Sequence, residues 1–276
     1  MKIIVINLEK SKERYYRISN SLNVLNLSFE RFNAINGYTL SEEEIKNKVS
    51  FAGRNFFCNR GIIGCALSHI KLWKQFQKSN DNLICIAEDD AQFNRAFKHL
   101  YDIIDKIYDK LEFDFLNLNC GGINQSFNDT IKIDDYIFNK PIFPTLFTCY
   151  ILSKKGVNKL LKHINKINYH IDFDIACYNL TNDFEYYSLY EPNILQNTCE
   201  DSTINGNMFG ITATIVNLFG FQKINWALNT PILTLFLDYK ITTYRILLLF
   251  LIFYFLKNGL YIISLIFILD FILNTF

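Results

Sequence analysis

The chain has 276 residues, 50% of them hydrophobic and 16% aromatic, with a formal net charge of +1. That length and apolar content suffice for one sizeable α/β core, alone or with an appendage. The near-neutral balance excludes a broad basic surface for nucleic acid and an acidic tail.

Ile3 to Leu8 is a short apolar run that ends in a charged stretch, as in a buried strand followed by a helix. The run is too short for a signal-peptide core and no small-residue cleavage site follows, so the folded part is expected in the cytoplasm. A helix starts near Ser11, an N-cap candidate, with Arg14 in its first turn. Ser28 to Ala34 alternates and reads as a second strand. Ser41 followed by Glu42, Glu43 and Glu44 reads as the cap and acidic first turn of a short helix. Gly61 to Gly64 reads as a turn. Cys65 to Gln77 reads as a helix, with Leu67, Ile70, Trp73 and Phe76 at helical spacing. Leu83 to Ala87 is continuously apolar, as in a central strand covered on both faces, and stops at Glu88-Asp89-Asp90. Ala96 to Leu111 reads as a helix, and Phe113 to Leu118 as a further strand before Gly121-Gly122. Residues 130–205 hold short strands and loops, broken by Pro141, Pro144 and Pro192, with a helix over Ser153 to Ile164. The alternation predicts an α/β layered fold with a largely parallel sheet. Ligands of such sheets bind beyond the carboxyl ends of the strands, where Asn7, Glu88 to Asp90 and Asn119 all lie.

The composition changes after Pro231. Ile246 to Leu256 is apolar and aromatic, Lys257-Asn258-Gly259 follows, and Leu260 to Leu269 is nearly all apolar. Ile246 to Leu269 as one helix is long enough to cross a bilayer, and neither half is. Lys257 at its centre costs about 3 kcal/mol, against at most about 0.3–0.6 kcal/mol gained per Leu, Ile or Phe, so insertion wins. One tilted span and a shallow hairpin turning at Asn258-Gly259 both remain open. A buried helix pair within the fold is the competing reading, disfavoured by the small polar face. Lys223, Lys240 and Arg245 ahead of the segment favour a cytoplasmic location for that side. The expected organisation is one domain over residues 1–225 and a hydrophobic, membrane-associated helical segment over 226–276.

Seven cysteines (Cys58, Cys65, Cys85, Cys120, Cys149, Cys177 and Cys199) are scattered without a C-x-x-C pair. This argues for reduced, mostly buried thiols, against a disulfide framework or a zinc site. The carboxylates of Glu88, Asp89 and Asp90 repel one another unless water, a Lys or Arg, or a metal ion offsets them. Glu88 and Asp90 are hard oxygen ligands suited to Mg²⁺ or Mn²⁺, which also hold phosphate oxygens. Such an ion stabilises a diphosphate leaving group as a sugar–phosphate bond breaks. A solvated acidic turn is the alternative. Gly61 to Gly64 entering a helix would bring backbone N–H groups and Ser68 near a phosphate. A lone helical histidine such as His69 is ordinarily a structural hydrogen-bonder. Asp172 and Asp174, beside His170, could supply a general base for a hydroxyl, a further metal shell or a solvated loop. Asp201-Ser202-Thr203-Ile204 has N-cap character.

Taken in order, these segments resemble glycosyltransferase family 25 of lipopolysaccharide and lipooligosaccharide biosynthesis, which includes the collagen galactosyltransferases. Val5-Ile6-Asn7-Leu8 with Glu13-Arg14 is similar to the family's opening, and Phe29 to Gly37 to its second segment. Gly61-Ile62-Ile63-Gly64-Cys65-Ala66-Leu67-Ser68-His69, with Trp73 one turn on, is the most specific match. Ile86 to Ala91 resembles its acidic motif, and Asp201 to Ile204 its late element. The order agrees over residues 1–205. Ile62 departs from the acidic residue that relatives often carry there, and the C-terminal apolar segment lies outside the resemblance.

The resemblance implies a GT-A-like, single Rossmann-type nucleotide-sugar domain, a UDP-sugar donor, Mn²⁺ or Mg²⁺, and an inverting displacement. In that scheme Asp90, with Glu88 or Asp89, holds the metal. Asn7, Leu8 and Arg14 lie near the nucleotide, and Ser68 and His69 approach the donor phosphates or sugar. Asp172 is the base, with Asp174 in reserve. UDP-galactose is the first donor and UDP-glucose the second. The acceptor is a lipid-linked oligosaccharide, met at the cytoplasmic face of a bacterial inner membrane. Two other classes compete. A Mg²⁺-dependent α/β phosphoryl-transfer enzyme would carry a key Asp at the end of an early strand, where this chain has Asn7-Leu8. A non-catalytic glycan- or membrane-binding homologue would not need the intact acidic triplet.

Overall fold

Strand β1 (Lys2–Asn7) is buried from its second residue onward because it pairs on both edges. It runs parallel to β2 (Phe29–Asn33) on one side and to β3 (Leu83–Glu88) on the other. This is the apolar-run signature of a central strand read directly. The computed structural model describes residues 1–118, 125–141, 147–190, 195–197, 231–235 and 239–273. They fall into two compact units, residues 1–49 with 62–199 and residues 50–61 with 200–276. Asn119, Gly121-Gly122, Pro144, Pro192, Lys223 and the Asp201 to Ile204 segment lie outside the described residues, as do Cys120 and Cys199.

The remaining strands of the first unit are β4 (Ala91–Phe93), β5 (Phe115–Asn117), β6 (Gln125–Ile133), β7 (Tyr136–Pro141), β8 (Cys149–Ser153), β9 (Tyr186–Leu189) and β10 (Leu195–Asn197). Among the described residues the main sheet has eight strands in the order β2-β1-β3-β8-β5-β9-β7-β6. The expectation of a largely parallel sheet is corrected here: the sheet is mixed. β8 runs antiparallel to both β3 and β5, and β7 antiparallel to β9 and β6. Antiparallel neighbours need no helical crossover. β6 and β7 are joined by a tight turn, with Asp134 at a φ of 52°.

Pleating sends alternate side chains to opposite faces. Ile3, Val5, Cys85, Ala87 and Ile151 share one core with Ile18 and Leu22 of helix α1 (Lys12–Val24) and with helix α4 (Arg95–Leu111). Helix α4 buries Phe97, Leu100, Ile104, Ile107 and Leu111 along one stripe, each contributing about 1.5–3 kcal/mol of gross burial. Asn94 caps it, its side-chain oxygen accepting from the N–H groups of Ala96 (2.9 Å) and Phe97 (3.2 Å). Ile4, Ile6, Ile84, Ile86 and Tyr150 lie on the opposite face, where Trp73 of helix α3 (Arg60–Lys78) reaches Tyr150. The short helix α2 (Glu42–Lys48) has the expected cap: Ser41 and Glu44 form a reciprocal capping box. Helices α5 (Lys154–His163) and α6 (Ile171–Thr181) complete the unit.

Helix α3 also corrects an expectation. Gly61 to Gly64 is not a turn but the start of the helix, which begins at Arg60. The glycine at 64 answers a packing need: a Cβ there would lie 2.5 Å from the Ile35 carbonyl oxygen and 2.6 Å from the Gly37 nitrogen. The Ile35–Gly37 backbone therefore rests directly on α3.

In the second unit, β11 (Pro231–Leu235) and β12 (Tyr239–Thr242) form an antiparallel pair. Two helices follow, α7 (Thr243–Lys257) and α8 (Tyr261–Leu273). The expected hydrophobic membrane segment is overturned here: among the described residues no helix is long and apolar enough to cross a membrane. The apolar run is broken at Gly259, whose φ of +72° is the left-handed conformation glycine adopts without cost. Helices of 15 and 13 residues span only about 20–22 Å each, against a hydrocarbon core of about 30 Å. They pack as a pair, with the rings of Phe255 and Phe267 stacked at 5.6 Å.

Candidate active site

The pleat of β3 divides the acidic triplet. Glu88 ends the strand on the same face as Ile84 and Ile86, so its carboxylate meets α3: Oε1 lies 3.2 Å from His69 Nε2 and 3.9 Å from Cys65 Sγ. Asp89 and Asp90 occupy the turn between β3 and β4. Asp89 accepts from the Asn7 side-chain amide at 2.6 Å and pairs with Arg14 at 3.0 Å. The same Arg14 guanidinium lies 3.4 Å from Asp90. Asn7 is fixed in turn. Its amide also donates to the Ser11 carbonyl at 3.0 Å, and its oxygen accepts from Arg31 at 2.6 and 3.0 Å. Arg31 lies over the Tyr15 ring, 4.6 Å from its centroid, and reaches the Leu8 carbonyl at 3.5 Å. The carboxyl ends of two adjacent parallel strands thus carry one connected polar network, at the position where such sheets bind ligands.

The electrostatics of this network favour a cation. Burial, reinforced by Glu88 and Asp89 and opposed by Arg14, pushes the Asp90 carboxyl up to about 7. Burial also raises Asp89, against the opposing pull of Arg14 and Asn7. Arg14 alone does not offset the three carboxylates. Their hard oxygens fit Mn²⁺ or Mg²⁺, which would relieve the penalty on Asp90.

His69 is fully buried, so it faces the protein interior and acts through Glu88. Trp73 Nε1–H donates to the Tyr150 hydroxyl at 2.8 Å, and that hydroxyl lies 2.8 Å from His69 Nδ1. With Tyr150 donating to Nδ1, the imidazole proton sits on Nε2 and reaches Glu88; the hydroxyl can also accept from Nδ1–H in the other tautomer. The chain from Trp73 to Glu88 orients the first carboxylate of the triplet. We expect Tyr150→Phe to lose about 1–3 kcal/mol of stability in urea denaturation, because the buried Trp73 N–H and His69 Nδ1 both lose a partner.

Ser68 does not reach the donor side. It is fully buried, its hydroxyl donating to the Gly64 carbonyl at 2.7 Å and accepting from the Ile35 N–H at 2.8 Å. With Gly64 it braces the Ile35–Gly37 segment.

Asp172 and Asp174 part company on α6. Asp172, in the first turn, accepts from the Phe173 N–H at 2.8 Å. Its charge acts on Cys65 together with those of Glu88 and Asp90, and after burial these three hold the thiol well above its usual range. Asp174 is buried, and its carboxylate accepts from the Asn168 and Tyr169 N–H groups. It lines a cavity with His163, Lys166 and Asn168, and burial pushes it up to about 6. The structure therefore brings Asn7, Arg14, Asp89 and Asp90 into one bonded network, sets Glu88 beside it against His69, and ties Asp174 and Ser68 to the backbone of other segments. Arg31 and Cys65 lie inside the quoted motifs without being singled out there, and Tyr150 lies in none of them. Arg31 carries a retrievable signal, since it shares the strand parity of its register partner Val5 and hence of Asn7.

Residues 1–175 match the model of Glycosyltransferase family 25 (LPS biosynthesis protein). The chain belongs to glycosyltransferase family 25. Membership leaves the phosphoryl-transfer alternative without support. The family 25 chain is 27% identical to Procollagen galactosyltransferase 1-A of Xenopus laevis over 173 residues, covering 58% of this chain and 28% of that one. It is 30% identical to a putative glycosyltransferase of Haemophilus influenzae over 159 residues, covering 57% and 56%. It is 24% identical to Probable inactive glycosyltransferase 25 family member 3 of Rattus norvegicus over 172 residues, covering 58% and 29%. The match thus spans from about a quarter to just over half of these relatives' length.

Proposed function

We propose that this family 25 chain transfers a hexose, galactose first and glucose second, from a UDP-sugar to a growing lipooligosaccharide or lipopolysaccharide glycan with inversion at the anomeric carbon. One observation carries the reading. Asn7, Arg14, Asp89 and Asp90 form one bonded network at the carboxyl ends of β1 and β3, and Glu88 ends β3 beside it, held against His69.

Glu88 and Asp90 would hold Mn²⁺ or Mg²⁺, which when bound neutralises charge developing on the diphosphate of the leaving group. Asn7 and Arg14, held by Arg31 and Asp89, keep the strand ends in register for the nucleotide. Asp172 takes the proton of the acceptor hydroxyl as its oxygen attacks the anomeric carbon and the sugar–phosphate bond breaks. A single displacement of this kind inverts the configuration. Asp172→Asn is expected to lower kcat by about 10²–10⁴-fold and to leave the donor KM within about twofold, as steady-state kinetics would show.

The family's description as an LPS biosynthesis protein supports a lipopolysaccharide-type acceptor, which the proposal places lipid-linked at the cytoplasmic face of a bacterial inner membrane. A panel of UDP-sugars offered with truncated lipooligosaccharide, read by mass spectrometry, tests the reading. Addition of one hexose from UDP-galactose supports it, and no addition from any donor sinks it. The rat relative's name favours one second reading, a non-catalytic glycan-binding homologue, which would bind the acceptor without releasing UDP.

A further inference from the structure

Cys65 and His69 lie one turn apart on α3, and both reach the same carboxylate oxygen of Glu88. Sγ, the imidazole nitrogen and a carboxylate oxygen all lie within 4.8 Å of one another. Tetrahedral zinc, with bonds of about 2.0–2.3 Å, holds N, O and S ligand atoms about 3.3–3.6 Å apart. The His69–Glu88 separation of 3.2 Å and the Cys65–Glu88 separation of 3.9 Å are already close to that geometry.

We propose that Cys65, His69 and Glu88 form a second metal site, selective for a borderline-soft dication such as Zn²⁺, which competes with the hard-ion site for Glu88. Three protein ligands leave a fourth position for water, the composition of an open zinc site. Thiolate and imidazole select zinc or cobalt over Mg²⁺ and Mn²⁺, which prefer oxygen alone. The outer shell is in place: Tyr150 meets the second ring nitrogen of His69 at 2.8 Å, and Trp73 meets Tyr150. Binding moves the imidazole proton to Nδ1, from which it is donated to the Tyr150 oxygen, and releases the thiol proton to water. The carboxylates of Asp90 and Asp172, whose charges reach Cys65, add attraction for a cation. Glu88 cannot serve both ions fully, so Zn²⁺ at this site weakens the donor-side ion. That last step rests on the donor role given to Glu88 above, whereas the binding of Zn²⁺ does not.

The test is a Co²⁺ titration of the full, metal-stripped chain, followed by optical absorption. One equivalent should bind with a thiolate-to-cobalt charge-transfer band in the near ultraviolet and be displaced by Zn²⁺. Cys65→Ser should lose the band and weaken Zn²⁺ binding by at least about a hundredfold, while Asp90→Asn keeps the band. Cys65→Ala serves as the second variant should the serine form not fold. No band in the wild-type chain, a band that survives both Cys65 variants, or one abolished by Asp90→Asn overturns the site. A band without Zn²⁺ inhibition of Mn²⁺-dependent UDP release overturns the shared use of Glu88 and with it the donor role of that residue, leaving the soft-metal site standing.

Discussion

Replacing Asp90 by Asn is expected to lower Mn²⁺-dependent transfer by about 10²–10⁴-fold and, at the same time, to stabilise the metal-free protein at alkaline pH. The second effect follows from burial, the main reason the Asp90 carboxyl is raised. An unfolded Asp titrates near 4 (about 3.9), whereas the folded carboxyl titrates at about 7. Between those values the native state holds a proton that the unfolded state has released. Native stability therefore falls as pH rises from about 4 to about 7 and stays lowered above that. Asparagine has no charge to bury. The gain at pH 8 should be on the order of 1–3 kcal/mol, shared as it is with Glu88 and Asp89, and should vanish near pH 4. Thermal melts at both pH values, with and without Mn²⁺, check it. Mn²⁺ should stabilise the wild-type chain at pH 8 and leave Asp90→Asn unchanged. Equal melting of the two metal-free proteins at pH 8 would mean that Asp90 carries no buried-charge penalty.

Gly64→Ala is expected to cost about 2–4 kcal/mol, because the new Cβ meets backbone atoms that cannot rotate away. It would lie 2.5 Å from the Ile35 oxygen and 2.6 Å from the Gly37 nitrogen. Relief requires α3 to move off the Ile35–Gly37 segment, which also stretches the Ser68 bond to the Ile35 N–H. Cys65 and His69 move with the helix, so the orientation of Glu88 and transfer activity should suffer beyond the loss of stability. Gly259→Ala is the control. Its Cβ meets nothing within 4 Å, and only the φ of +72° resists it, so about 1 kcal/mol is expected. Urea denaturation of the two variants separates a clash from backbone strain, and equal costs would contradict the packing role given to Gly64.

Much of the fold was legible in the chain, for physical reasons that also mark where legibility stops. The apolar runs of β1 and β3 and the stripe of α4 report burial, and burial is what a hydrophobic pattern encodes. Strand direction is not encoded there, so the antiparallel placement of β8 came only with the structure. Gly61 and Gly64 read as breakers because glycine serves both turns and close approach, and nothing local tells the two apart. The same ambiguity hid the role of Ser68. The triplet was found as a cluster, but its division across the sheet follows from where β3 ends. Asp172 and Asp174 read as an alternating pair, whereas helix positions i and i+2 lie about 200° apart around the axis, so the two carboxylates face different ways and only Asp174 bonds back to the Asn168 N–H. At the C-terminus, hydropathy found the apolar run and left its continuity open, and Gly259 decided it. The Cys65–His69–Glu88 cluster escaped notice for a similar reason. A C-x-x-C search passes over a Cys and a His one helical turn apart whose third partner is a strand away.

The use of a UDP-sugar by the network around the triplet is what we propose and what a single assay can test. The most direct measurement is UDP release from UDP-galactose by the full chain, with and without Mn²⁺, in the presence of truncated lipooligosaccharide. Release should require the ion, consume acceptor in equal amount and disappear in Asp90→Asn. Release that proceeds equally in Asp90→Asn, or no release from any UDP-hexose with either Mn²⁺ or Mg²⁺, would contradict the proposal.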